Sequence, residues 1–463
     1  MDGATGRRRV RRSTTANAPP EPGWGRHWGG GLARATFQVA LALTSIMAFP
    51  PPVSSLGAAH PGEATITHIP TPCAPGSDAE AEVAFLSAVR TFLTTALTPD
   101  LREAGRGTIG VYSEIGAARV WHQRLYGRGW IAPSWPTAFG GAGWTARQRY
   151  LFERECAMND APVLFAAGLR SLGPLLIELG SPAQQARYLP AMLDGSDLWC
   201  QGFSEPGAGS DLAALTTRAT RSGDGYLVNG SKIWTTGAHL ANRMFALVRT
   251  MDAGRRQNGL TFLLIDMDSP GLSVAPILGL SGEHEFNQVF FTDVRVPEAN
   301  RVGLENDGWS VAKRLMQLAR SNNTPAALVR RTLRRTEVAL QEAPSPLEPA
   351  IRARLAGLAI QLEAFEQLEM AALPTGGAVS GDPKLSSSLK LLGTELHQKV
   401  CELALEIAGP QGQAAMSVFG HAGPAMDRGA RVMAKHLAVR AATIYSGASE
   451  TQRNIIARQL LDV

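Results

Sequence analysis

Three short runs in this 463-residue chain carry residue types suited to ligand chemistry. Residues 200–211 read CQGFSEPGAGSD. The two glycines and an alanine around Pro206 let the backbone approach a large ligand, and free N–H groups there can bind phosphate or ring acceptors. Ser204 and Ser210 add hydroxyls. Lys232-Ile233-Trp234-Thr235-Thr236 follows an Asn-Gly pair, Asn229-Gly230, and is expected on a strand after a tight turn. A tryptophan can stack on an aromatic cofactor while a neighbouring threonine bonds to its ring nitrogens. The third run, Phe290-Phe291-Thr292-Asp293-Val294-Arg295-Val296-Pro297, reads as a strand leaving a sheet.

The elements around these runs change period twice. From Ser77 to about residue 197 apolar residues recur at helical spacing, as at Tyr150–Ala157, Leu172–Leu179 and Ala183–Leu193. Ser77 and Glu80 fit a capping box at the first helix. Residues 127–143 form a loop dense in Gly, Pro and Trp. Short strands are expected at 215–220, 226–228, 244–248, 260–266, 272–277 and 289–296, with a hairpin turn at residues 222–225. No helical stretch separates them, so an antiparallel sheet or barrel is predicted. Helical spacing then returns over 309–320, 324–341, 346–373, 383–408 and 426–445, with a last helix from Ser449. The prediction is an α+β chain: a helical domain at 78–197, a β-domain at 198–305 and a helical bundle at 306–463.

Composition narrows the function classes. The net charge of +5 is concentrated in residues 1–77, where seven Arg against three acids give +4. The remainder is close to neutral, which argues against nucleic-acid binding. Residues 1–77 read as a disordered or targeting-like extension, and their apolar run, Phe37–Phe49, is too short to span a membrane. Cys73, Cys156, Cys200 and Cys401 are scattered, so no metal site or disulfide framework is expected and a reduced, cytoplasmic setting fits.

In this order and spacing the three runs resemble the acyl-CoA dehydrogenase family, from about Ser77 to Val463. WCQGFSEPGAGSDL, GEHEFNQVFF and IYSGASETQRNIIA look most like a bacterial branch acting on long, dicarboxylic or steroid-derived acyl-CoAs. The resemblance implies FAD as cofactor, an acyl-CoA substrate, an electron-transfer partner, and a homo-oligomer or a hetero-oligomer with a related subunit. It places Gln201, Phe203, Ser204, Glu205, Gly209 and Ser210 against the flavin, with Ser210 also near the thioester. It puts Trp234, Thr235 and Thr236 on the flavin ring, and Ala448, Ser449 and Glu450 near FAD at a helix start, where N–H groups favour an anion. Arg320 and Gly447 match substrate-side positions. The family's Arg-x-x-Phe-Gly run has no counterpart after Arg320.

The family reaction removes an α-proton from an acyl thioester while hydride leaves Cβ for the flavin, and it needs a carboxylate within reach of that proton. Family members hold the carboxylate at one of two positions, which here are Ser446 and Ala319. Neither is acidic. Glu450 reads as a first-turn acid favoured by the helix dipole and Glu205 as structural; Glu283 and Glu285 flank His284 in a loop that could approach the substrate, with a solvated loop the favoured reading. Three readings follow: a dehydrogenase whose base comes from an unexpected position or a partner subunit, a non-catalytic flavin-binding or supporting subunit of a heteromer, or a different flavin chemistry on this scaffold.

Overall fold

The computed structural model describes residues 78–252, 254–318, 324–342, 348–374, 383–414 and 428–461. All lie in the unit Ile66–Val463. Ser77, Cys73, Ala319 and Arg320 fall outside the described residues.

The N-terminal helices are α1 Asp78–Ala96, α2 Pro99–Arg106, α3 Ile115–Gly127, α4 Ala146–Met158, α5 Gly173–Leu179 and α6 Pro182–Asp194. Their ends are set by local chemistry. Thr145 with Gln148 and Ser181 with Gln184 form capping boxes at α4 and α6, and Glu114 accepts the N–H groups of Gly116 and Ala117 at α3. The segment between α3 and α4 is not a surface loop. Trp130, Ile131, Ala132 and Trp135 are buried, and Trp135 Nε1 donates to Leu169 O at 2.9 Å.

The middle strands are β1 Trp199–Gly202, β2 Arg218–Ser222, β3 Gly225–Lys232, β4 Arg243–Arg249, β5 Leu260–Asp266, β6 Leu272–Leu278, β7 His284–Pro297 and β8 Arg301–Val302. They follow the order β6-β7-β3-β2-β4-β5-β8, with β1 also on β4. Most pairings are antiparallel, but β1 and β2 both meet β4 in parallel. Met244–Val248 of β4 and Phe262–Ile265 of β5 are all apolar because both strands are buried on two faces. Phe245, Leu247, Phe262 and Leu264 join the core of the N-terminal helices, while Met244, Ala246, Val248, Leu263 and Ile265 face a second cluster with Tyr226, Val228, Val289 and Val294. The sheet rolls around that second cluster.

Three local expectations are corrected. Asn229-Gly230 does not reverse the chain: β3 continues through it as a bulge, and the register on β7 shifts between Val228 and Gly230. Gly230 has φ 137 because Thr217 lies against it, and Asn229 exchanges two hydrogen bonds with Asp293, itself at φ 51. Strand β3 then ends at Lys232, so Trp234–Thr236 lie beyond it. Residues 290–297 do not leave the sheet; β7 pairs with β3 on one side and β6 on the other.

The C-terminal helices are α7 Gly308–Leu318, α8 Ala326–Glu342, α9 Glu348–Ala371, α10 Pro383–Ala414, α11 Arg428–Ala438 and α12 Ser449–Leu461. Helix α7 packs Val311, Ala312 and Leu315 into the N-terminal core, and α8–α10 share a third cluster around Val329, Leu362 and Val400. Helix α10 kinks at Gly409 (φ 62) before Pro410. The expected helix over 426–445 divides at residue 438 into α11 and the 3-10 turn Val439–Thr443.

Gly173 tests the packing directly. A Cβ there would lie 1.9 Å from Cζ2 of Trp135, whose ring is locked in the core. Gly173→Ala should cost about 1–3 kcal/mol. Gly357→Ala on α9 meets open space and should stabilise by up to about 1 kcal/mol. Opposite shifts in chemical denaturation midpoint are expected, and equal shifts would contradict this packing.

Candidate active site

The run after β1 is held from behind and open in front. Phe203 turns into the core, edge-on to Phe245 and Phe262. Glu205 and Ala208 exchange backbone hydrogen bonds of 3.0 Å, which fold the loop. The buried Glu205 carboxylate accepts from Thr216 N and Oγ1, Thr217 N and Lys232 Nζ, the last at 2.8 Å. Lys232 Nζ also donates to Phe203 O and Leu247 O. Burial would raise the Glu205 carboxyl, yet Lys232 and the Thr216–Thr217 donors hold it at about 2, while burial lowers Lys232 to about 8. The side chains of Phe203 and Glu205 are therefore supports rather than flavin contacts. Gln201, Pro206, Gly207, Gly209 and Ser210 are exposed, and Gly207 and Gly209 have open space where a Cβ would stand.

Beyond β3 the chain turns sharply. Ile233 N donates to Ser204 O and Thr235 N to Asn287 O, each at 2.9 Å, so the segment is pinned to both the loop and β7. Between these bonds Trp234 adopts φ 59 and stands 58% exposed, edge-on to Phe286 at 6.1 Å. A large aromatic in the left-handed region and in the open is a position that structure over-determines. Thr235 is buried, and its Oγ1 has no hydrogen-bond partner. Thr236 is half-buried. Behind them Asn287 donates to Thr235 O and to His239 Nδ1 and accepts from His284 Nε2. The two imidazoles stack at 3.8 Å.

The third piece is the turn into α12. Ser446 (φ 53) and Gly447 (φ 94) carry the chain from the 3-10 turn to Ser449. Ser446 is exposed, Ala448 half-buried, and Glu450 exposed. Ser449 is buried, and its Oγ has no partner. The N–H groups of Ser446, Gly447 and Ala448 bond to nothing among the described residues, so this helix start suits an anion. Lys390, buried beside Glu450 with an unpartnered Nζ, adds positive charge there.

A bound flavin fits these residues. The free hydroxyls of Thr235 and Ser449 are costly when buried unless a ligand bonds to them, and Trp234 offers a ring face. Open glycines at 207 and 209 leave room beside them.

A cavity of about 860 Å³ runs between the N-terminal and C-terminal helices. Its wall includes Glu285 and Phe286 from β7 and Tyr445 from the turn before α12. The solvated-loop expectation for Glu283–Glu285 is overturned here. His284 and Glu283 are half-buried, and Glu285 is 8% exposed. Glu285 accepts the N–H of Val111 and lies against Gly110, where a Cβ would come within 2.1 Å of its Oε1. Burial raises its carboxyl above the ordinary range, opposed by the Val111 N–H and by Lys435. The signal was present in the sequence: Glu285, Asn287, Val289 and Phe291 share one phase of β7, and all four are buried. Arg331, His397 and Lys435, also on the cavity wall, carried no comparable signal. Among the described residues no cluster suits a metal ion, and no helix is long and apolar enough to cross a membrane.

The helical, β and helical order agrees with the family comparisons. The N-terminal, middle and C-terminal domains of acyl-CoA dehydrogenases match residues 79–196, 200–294 and 306–461. The chain belongs to the acyl-CoA dehydrogenase family of oxidoreductases, whose cofactor is FAD. It is 38% identical over 347 residues to acyl-CoA dehydrogenase IpdE1 of Mycobacterium tuberculosis, covering 74% of this chain and 87% of that protein. Among solved structures it resembles the Tcur3481-Tcur3483 steroid ACAD at TM-score 0.71 and 27% identity, over 83% of this chain and 98% of the other. It also resembles the ChsE4-ChsE5 complex from Mycobacterium tuberculosis at TM-score 0.68 and 27% identity, over 85% and 99%.

Removing one member of the buried pair should be severe. Lys232→Met leaves Glu205 ionised and unpaired in the interior, a loss of about 3–5 kcal/mol. The depressed Glu205 carboxyl contributes stability above its unfolded value of 4.5, lost as pH falls toward about 2. Acid denaturation of wild type and Glu205→Gln should therefore converge at low pH, and parallel curves would contradict this.

Proposed function

We propose that the chain is an acyl-CoA dehydrogenase that desaturates an acyl thioester between Cα and Cβ, with Glu285 as the base. Its flavin site is taken to be formed by Gln201, the Ser204–Ser210 loop, Trp234–Thr236 and Ala448–Glu450. The observation that carries the reading is the position of Glu285. It is a buried carboxylate on the cavity wall, its backbone O bonded to Gly237 just past the Trp234 turn, with Tyr445 on the same wall. Ser446 and the Ala319 position supply no carboxylate. Bound FAD supplies the hydride acceptor for Cβ. The chain's own residues do the rest. Tyr445 and Phe286 shape the wall beside the reacting carbons, and the unpaired N–H of Ser446 donates to the thioester oxygen. Glu285 takes the α-proton, and burial makes its carboxylate a stronger base than an ordinary one. An electron-transfer partner would accept the electrons that bound FAD carries, and a cytoplasmic setting fits.

Anaerobic titration with acyl-CoAs tests this. The wild-type protein should bleach, and Glu285→Gln should slow bleaching by about 10²–10⁴-fold while still binding the thioester. Because the base must be ionised, wild-type kcat/KM should rise with pH through a limb above the usual carboxylate range. A Glu285→Gln protein that bleaches at the wild-type rate would overturn the assignment.

A second reading is a supporting subunit in a heteromer, favoured by the non-acidic Ser446 and by similarity to ChsE4-ChsE5, which is named as a complex. There the lone flavoprotein does not bleach until a related chain is added, and Ser446→Glu raises its turnover.

A further inference from the structure

The cavity wall carries charges that alkyl chains do not need. Trp121, Leu125, Trp130, Ile131 and Leu169 make one side apolar. The same cavity is also lined by Arg331 on α8, His397 on α10 and Lys435 on α11. Arg331 is only 5% exposed, and its guanidinium makes no hydrogen bond or ion pair among the described residues; Nε is buried without a partner. The carboxylate that influences it most, Asp160, is already bound by Arg335 and Arg106. Lys435 is half-buried and donates to Ile109 O at 2.8 Å. His397 accepts or donates only to Thr332 Oγ1, and burial keeps it neutral. A buried guanidinium without an acceptor is among the costlier arrangements in a protein interior, and an oxygen on a ligand in the cavity removes that cost.

We propose that the acyl group bears a hydrogen-bond-accepting oxygen beyond its α and β carbons, as a carboxylate or a ketone, and that Arg331 receives it. This rests on the reading of the cavity as the acyl site. The guanidinium donates to the oxygen in the plane of its fork, and Lys435 adds charge for a carboxylate. The apolar side of the cavity covers the carbon frame between the thioester and that oxygen.

Binding separates this from the base assignment, because it needs no turnover. The FAD-loaded full chain is titrated calorimetrically and anaerobically with hexanoyl-, adipoyl- and 5-oxohexanoyl-CoA, with the corresponding twelve-carbon set, and with free CoA. In at least one set the carboxylate or the ketone member should bind about tenfold or more tighter than the alkyl member. The carboxylate arm reports charge and the ketone arm a neutral acceptor. Arg331→Met should fold with a raised Tm, since it removes an unpartnered buried charge, and should abolish the preference; Arg331→Lys should restore part of it. Equal binding of all members overturns the inference and leaves the acyl-CoA reading intact. A loss in Arg331→Met that falls equally on free CoA assigns the residue to the CoA phosphates and also overturns it. Failure of every thioester to bind removes both readings.

Discussion

The buried ion pair of Lys232 with Glu205 ties the proposed flavin wall together. One ammonium binds Phe203 O, Glu205 Oε1 and Leu247 O, so it joins the exit of β1, the glycine-containing loop and the middle of β4 at a single point. The remaining carboxylate oxygen takes up Thr216, which fixes where the chain leaves that loop. Because Lys232 is the last residue of β3, the same contact sets the starting point of the Trp234 turn. A buried pair of this kind seldom adds net stability over apolar residues of the same volume. What it supplies is position: the loop and the turn cannot slide independently while both depend on one nitrogen.

That precision needs a rigid backing, which the two-faced strands β4 and β5 provide. Phe245 and Leu247 point into the core of the N-terminal helices, and Met244, Ala246 and Val248 into the roll of the sheet. The helical and β-regions thus share side chains of one strand rather than meeting at a polar seam. Helix α7 enters the same core through Val311, Ala312 and Leu315. Charged contacts such as Arg431 with Glu103 and Arg335 with Asp160 then link the C-terminal helices to α2 and to the end of α4.

Much of this was legible in the sequence, and the failures have physical causes. Period changes located helices and strands because burial on one face or two is written in spacing. The Asn229-Gly230 pair was misread because its turn chemistry is local, whereas the bulge is imposed by Thr217 and Asp293 from neighbouring strands. The parallel placement of β1 on β4 is set by tertiary packing and leaves no local mark. Within the flavin motif, Phe203 and Glu205 were grouped with ligand-facing residues because a motif records the residues that hold a loop as well as those that face outward. The polar run around Glu285 favours a solvated loop over one that approaches the substrate, whereas its phase on β7 matches the buried Val289 and Phe291.

Glu285 and Arg331 show why the cavity is not simply a space left by packing. Burial raises the carboxyl of Glu285, and Lys435 works against that rise. Burial lowers Lys435 to about 8, and Arg331 pushes in the same direction. Charge on Lys435 thus lowers the proton affinity of Glu285, and charge on Arg331 lowers that of Lys435. An acidic oxygen seated on Arg331 would neutralise the positive charge that now acts on Lys435, which raises the lysine's proton affinity and steadies its charge opposite Glu285. A neutral acceptor would satisfy the guanidinium and leave that balance nearly unchanged. On the proposed acyl site, the chemical nature of the acyl group is thus coupled through Lys435 to the basicity of Glu285.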